Sequence, residues 1–263
     1  MFGAVNLLPH RRAGASIEVS EEAGVRYLHF GSPWIQGAMR IARPWGLELE
    51  YTRDMMIALL LRPAARWPRH VLMIGLGAGS LPKFLYRNRP RSMLTVVEID
   101  PAVVRVAVQH FALPDDPRRF AIEIADGHDY VTATDRRFDL ILVDGFDAKC
   151  NVGMLDTLPF YCGCRARLTD EGLFVANFLN RRRGLLAGMK RLDTAFDSRA
   201  CALPACSSGN IIAVAATGAP VDVSLAQLQA GAQALKQETG ANLSPMVRRI
   251  AKLQSGASER FEL

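Results

Sequence analysis

The sequence has no apolar run near the ~18–20 residues that a membrane-crossing helix needs, so no such span is expected. Its first residues, MFGAVNLLPHRR, lack the basic start, apolar middle and small-residue cleavage site of a signal peptide. The cytoplasm is therefore the expected compartment. Five cysteines, an odd number outside a secretory context, argue against a disulfide framework. Cys162-Gly-Cys164 and Cys201-x4-Cys206 miss the C-x2-C spacing of zinc sites, so those residues and Cys150 are expected to be structural thiols, with no metal. Repeats and low-complexity segments are also lacking. So is a broad basic stripe. The net charge of +6 and pI near 9.3 would suit a nucleic-acid partner. The basic residues are dispersed, however, and the one dense cluster, Arg181-Arg182-Arg183, follows an expected strand end, where a solvated loop accounts for it.

What is present is ample material for a core. Hydrophobic residues make up 49% of 263 residues and charged residues 22%, enough for one large domain with an appendage or two modest ones.

The chain is organised around Val71 to Asp100. Val71-Leu72-Met73-Ile74 is apolar throughout, which suits a strand buried on both faces. Gly75, Gly77 and Gly79 follow in a G-x-G-x-G loop, and then a helix whose N-terminal amides favour a polar or anionic ligand. A second apolar strand, Leu94 to Val97, ends in Glu98-Ile99-Asp100. An acid about 20 residues past the glycines can accept hydrogen bonds from both ribose hydroxyls. The glycine spacing is not that of the dinucleotide fingerprint. It resembles the S-adenosylmethionine-binding class instead.

Before this stretch, residues 1–60 read as a small β domain leading into a first helix. Ser16 to Ser20 and Val25 to Phe30 alternate polar and apolar around a turn at Glu21 to Gly24, Ile35 to Arg40 adds a strand, and Leu47 to Leu61 is helical in period. Residues 61–217 alternate strands and helices. Further strands are expected at Phe120 to Ile124, Phe138 to Val143 and Gly172 to Asn177, with a closing hairpin of Ser198 to Leu203 and Asn210 to Ala216. Such alternation predicts an α/β fold with a doubly wound, mostly parallel sheet. Residues 218–263 read as a helical tail, with Ser224 capping its first helix and Ser244-Pro245 beginning a second.

Ligands of open α/β sheets bind outside the carboxyl ends of the strands. Four such ends carry acids here: Glu98 with Asp100, Asp126 beside Gly127, Asp144, and the nearby Asp147. Glu98 suits the ribose, Asp126 an adenine amino group, and Asp144 and Asp147 the reacting centre. Carboxylates without metal ligands suggest holding a cation or taking a proton from an amine.

Gly31-x4-Gln36, Tyr51-Thr52-Arg53-Asp54-Met55, the GLGAGS loop, VEIDP, ADG and VDGFD together resemble the spermidine/spermine synthase family of aminopropyltransferases, which has a methyltransferase-like Rossmann fold. The resemblance runs from about Gly31 to Asn177. It implies that decarboxylated S-adenosylmethionine is a co-substrate rather than a tightly bound cofactor, and that a small-molecule amine is the acceptor. It implies Gln36, Gly75, Gly77, Gly79, Glu98, Asp100, Asp126 and Gly127 on the donor, Asp144 as the base, and Tyr51, Asp54 and Asp147 toward the amine. It also implies a homodimer. Two positions depart from the family pattern. Ala78 replaces the acid that holds the donor's aminopropyl amine, and Arg53 puts a positive charge where a polyamine would pass. Three readings follow: aminopropyl transfer with altered acceptor preference, S-adenosylmethionine-dependent methyl transfer, and a catalytically inactive nucleoside-binding homologue.

Overall fold

Strands that are apolar on both faces must lie between two layers, and the order of elements here builds that sandwich. The computed structural model describes residues 16–32, 34–64, 66–146, 152–179, 182–254 and 259–263. Ile17–Glu22 (β1), Val25–Phe30 (β2) and Ile35–Arg40 (β3) form an antiparallel sheet in that order. The turn between β1 and β2 is shorter than the sequence suggests. It is Ala23-Gly24 alone, both with positive φ, as a two-residue hairpin requires.

The expected Leu47 to Leu61 helix is two short ones, Glu50–Met55 (α1) and Ala58–Leu61 (α2). Bonds from Met56 N to Arg53 O and from Ile57 N to Asp54 O tighten the chain between them. The cause is burial. Every side chain from Met55 to Leu61 is at most 5% exposed, so this run is apolar all round and has no solvent face to set a helical period.

The main sheet follows. Its elements are His70–Ile74 (β4), Ser80–Asn88 (α3), Met93–Glu98 (β5), Pro101–His110 (α4), Phe120–Ile124 (β6), Gly127–Ala133 (α5) and Phe138–Val143 (β7). After a 3-10 turn at Gly153–Asp156 come Leu158–Ala166 (α6), Leu168–Leu179 (β8), Arg182–Ala195 (α7), Ala200–Ala202 (β9) and Asn210–Ala216 (β10). The strand order is β6-β5-β4-β7-β8-β10-β9. β4 to β8 are parallel, and β10 runs antiparallel to both neighbours. The order reverses between β4 and β7, and a doubly wound sheet opens its ligand crevice there.

Side chains alternate between the two faces of the sheet. Val71 and Met73 join one core with α1, α2 and α3, whereas Leu72 and Ile74 join another with α6 and α7. The C-terminal segment completes the first layer. Asp222–Ser224 (β11), Leu225–Thr239 (α8), Ser244–Gln254 (α9) and Arg260–Glu262 (β12) bring Leu228, Leu235, Met246 and Phe261 into that core. α8 starts in a complete capping box between Ser224 and Gln227 and stops at Gly240, whose φ is +79°. The pair β11–β12 is not expected from the sequence, because three-residue strands carry no readable alternation.

Among the described cysteines, Cys164 and Cys206 are buried, Cys201 is half-buried and Cys162 is exposed. Burial pushes the Cys201 thiol up to about 12, as fits a packed thiol rather than a reactive one. No described helix is long and apolar enough to cross a membrane.

Candidate active site

The glycine loop sits over the sheet because its backbone can go where side chains cannot. Gly75 has φ +91°, and a Cβ there would lie 2.2 Å from the carbonyl oxygen of Asp144. Glycine therefore lets the ends of β4 and β7 close on one another. Asp144 N in turn donates to Ile74 O at 2.9 Å.

Glu98 ends β5 and is 8% exposed. Its Oε2 accepts from Leu76 N at 2.8 Å and its Oε1 from Asp100 N at 2.9 Å. The carboxylate thus ties the strand tip to the glycine loop and keeps lone pairs for ribose hydroxyls. Burial raises its pKa, and these amide bonds offset part of that rise. Asp100 and Asp126 are helix caps. Asp100 Oδ1 accepts from Ala102 N at 2.8 Å, and Asp126 Oδ1 accepts from His128 N at 2.8 Å. Asp126 Oδ2 takes no donor among the described residues, so the carboxylate can cap α5 and still meet an adenine amine. Gly127 admits Ile74 and Leu155, both of which a Cβ would strike. Ile99, 42% exposed between the two acids, is an apolar surface at the crevice that the sequence reading left unassigned.

The N-terminal sheet closes the donor side. The carbonyl of Gln36 is 3.5 Å from where a Cβ of Gly77 would be. A Cβ on Gly37 would come within 2.6 Å of the Ala78 Cβ. Ala78 is 3% exposed and packs with Leu28, Met39 and Phe111. The position where the resembled family has an acid is therefore an apolar contact holding β3 onto the loop.

Asp144 lies across the crevice from Glu98, on the other side of the switch point. It is half-buried at the end of β7. Tyr51 OH of α1 donates to Oδ2 at 3.0 Å, and Asn177 Nδ2 of β8 donates to Oδ1 at 2.9 Å. The chain of bonds continues from Asn210 Nδ2 to Asn177 Oδ1 at 3.0 Å and from Ser208 Oγ to Asn210 Oδ1 at 2.7 Å. Desolvation raises the Asp144 pKa, while Asn177 and Tyr51 pull it back. Burial and the neighbouring aspartate hold Tyr51 well above the ordinary phenol value, so it stays a donor. The result is an oriented carboxylate that binds a proton more readily than a surface one, as a general base should.

Two residues expected near the acceptor have partners within the chain. Asp54 does not stand free for an amine. Its carboxylate pairs with Arg249 of α9, which also donates to Glu50 Oε1 at 2.7 Å. Residues 50 and 54 lie one turn apart on one face, which is why a single arginine holds both. Arg53 likewise is held by its own segment. Its Nη1 donates to Leu47 O at 2.8 Å and Glu48 O at 2.7 Å, and it lines a separate cavity that none of the crevice residues shares. Asp147, Cys150 and Arg181 lie outside the described residues. Sequence reasoning missed Asn177, Asn210 and Arg249. The only local signal was the position of Asn177 at a strand end.

A doubly wound sheet with a glycine loop, an acidic second strand end and a half-buried carboxylate at the switch point has the methyltransferase-like Rossmann fold. Comparison narrows this. The spermine/spermidine synthase domain model matches residues 49–181. A polyamine aminopropyltransferase of Chromobacterium violaceum is 36% identical over 242 residues, covering 92% of each chain. A probable spermidine synthase of Corynebacterium glutamicum superposes with a TM-score of 0.69 at 22% identity, covering 97% of this chain and 96% of its own. Human methyltransferase-like protein 13, in complex with SAH, gives a TM-score of 0.64 at 26% identity, covering 73% of this chain and 93% of its own. The chain belongs to the spermine/spermidine synthase domain family.

Proposed function

We propose that this chain transfers the aminopropyl group of decarboxylated S-adenosylmethionine to a small amine. The observation that carries the reading is Asp144, oriented by Tyr51 and Asn177 beside the glycine loop, in a chain of this family. The glycine loop, Gln36 and Glu98 hold the donor, with Asp126 at its adenine. The amine nitrogen attacks the propyl carbon next to the sulfonium. The C–N bond forms as the C–S bond breaks, and its electron pair returns to sulfur, which leaves as a neutral thioether. The proton released by the new ammonium passes to Asp144. No acid is needed for the leaving group, so orientation supplies most of the acceleration.

The acceptor is less cationic than a typical polyamine. Asp54 is occupied by Arg249, which leaves one carboxylate fewer for an ammonium group of the acceptor. Asp147 is assigned to the amine on the resemblance. The protein acts as a cytoplasmic homodimer through its N-terminal sheet, where Trp34 is 68% and Ile35 47% exposed. Light scattering of Trp34→Asp tests this, with a monomer expected.

Ala78 also favours a second reading, methyl transfer from S-adenosylmethionine itself, because an alanine does not repel the donor's carboxylate. The deciding experiment is turnover with each donor and a panel of amines, read by mass spectrometry. An aminopropylated amine supports the proposal. A methylated product, or turnover only with the carboxylated donor, rejects it.

A further inference from the structure

A second cavity, of about 740 Å3, lies away from the crevice, where the β3–α1 connection, the end of α3 and the α8–α9 turn meet. Its walls carry Arg40, Arg43, Arg53 and Arg87 against a single carboxylate, Glu48. Glu48 is spent on Arg40, whose Nε donates to Oε2 at 3.0 Å. Arg53 Nη1 donates to two backbone carbonyls, and among the described residues no carboxylate forms an ion pair with Arg53, although its charge acts on neighbouring Asp54. Arg43 and Arg87 are exposed and have no carboxylate partner among the described residues. Of the acids next to lining residues, Glu238 pairs with Arg89 and Asp54 with Arg249. Four arginines and one glutamate leave the lining with a net charge of three positive in one concave space.

The walls are built rather than incidental. The Arg87 guanidinium lies 6.0 Å from the Trp45 ring centroid, and Trp45 stacks on Tyr86 with 24° between the rings. Arg119 covers Tyr86 at 4.3 Å. This stack fixes Arg87 at the rim and occupies the faces of Trp45, so the cavity offers charge rather than an aromatic platform. Asn242 and Pro245 bring the N-terminal end of α9 to the same space, and Asn242 Oδ1 accepts from Ser244 N at 3.2 Å. The helix dipole adds to the positive potential there.

We infer that this cavity is a binding site for a small polyanion bearing two or more phosphate groups. Guanidinium forks match phosphate oxygens in geometry as well as charge. The volume lies in the range of small-molecule sites, about 300–1,000 Å3. The charge is gathered in a pocket rather than spread along a face, which favours a compact anion over a nucleic-acid strand. The site uses none of the crevice residues, so it stands whether or not aminopropyl transfer is the reaction.

The test is isothermal titration of the full chain with sodium tripolyphosphate, and separately with citrate and a single-stranded RNA, at low ionic strength. One tripolyphosphate should bind per chain, more tightly than citrate. Arg43→Gln and Arg87→Gln, both at exposed positions, should each weaken it at least about fivefold, while Arg136→Gln, outside the cavity, should leave it unchanged. Equal weakening by Arg136→Gln, or several ions bound per chain, would mean general charge attraction and overturn the site. Tighter citrate binding would overturn the phosphate assignment. So would RNA binding with no heat from tripolyphosphate.

Discussion

Asn177 Nδ2 donates to Asp144 Oδ1 across 2.9 Å, from the strand beside the one that the aspartate ends. Asn177 is itself 6% exposed and held by Asn210, so it can present only one orientation to the carboxylate. Asn177→Ala should lower kcat about 10- to 100-fold with little change in donor KM, because it loosens the base and not the nucleoside site. It should also move the acidic limb of the kcat profile to higher pH. The lost bond is one that holds the Asp144 pKa down, and the base works only when ionised. A variant with wild-type kcat and an unmoved limb would remove Asn177 from the positioning role.

Arg249 joins α9 to the helix that carries Tyr51. Arg249→Ala leaves Asp54, with a side chain 4% exposed, as a buried charge without its main partner. The expected cost is about 2–4 kcal/mol in denaturant unfolding. Burial pushes the Asp54 carboxyl from 3.8 up to about 6, even against the pull of Arg249. The folded state thus holds this proton more tightly than the unfolded chain. Its contribution to stability should therefore fall as pH rises from about 4 to about 6. Asp54→Asn should flatten that slope, and melting curves across this range measure it.

Lys83 is buried at the junction of the two sheets, its Nζ donating to Phe111 O at 2.6 Å with no carboxylate partner among the described residues. Burial pulls the amine from 10.5 down to about 7. Here the unfolded chain holds the proton more tightly, so stability on this account should rise as pH goes from about 7 to about 10. Lys83→Met should lose that rise. A melting temperature with the same slope in both proteins would mean that the amine reaches water.

The strand ends and the glycine loop were legible because both are local. Gly75, Glu98 and Asp144 could be placed from an apolar run and the residue that ends it. What was hidden depends on distant pairing. Asn210 meets Asn177 only through the antiparallel register of β10 on β8, and Arg249 reaches Asp54 from the far end of the chain. The partners of Arg53 were hidden for a related reason. Its position in a motif was visible, but the direction of its side chain was set by the carbonyls of Leu47 and Glu48. The break at Met56 was masked because a run apolar on all sides fits any helical period.

The most direct measurement is turnover and nucleoside binding by Asp144→Asn, side by side. The variant keeps the backbone bond to Ile74 and loses only the base. Turnover should fall about 100- to 10,000-fold while affinity for the nucleoside donor, by calorimetry, stays within about threefold of wild type. Turnover equal to wild type would show that the proton goes elsewhere, and Asp144 would not be the centre of this site.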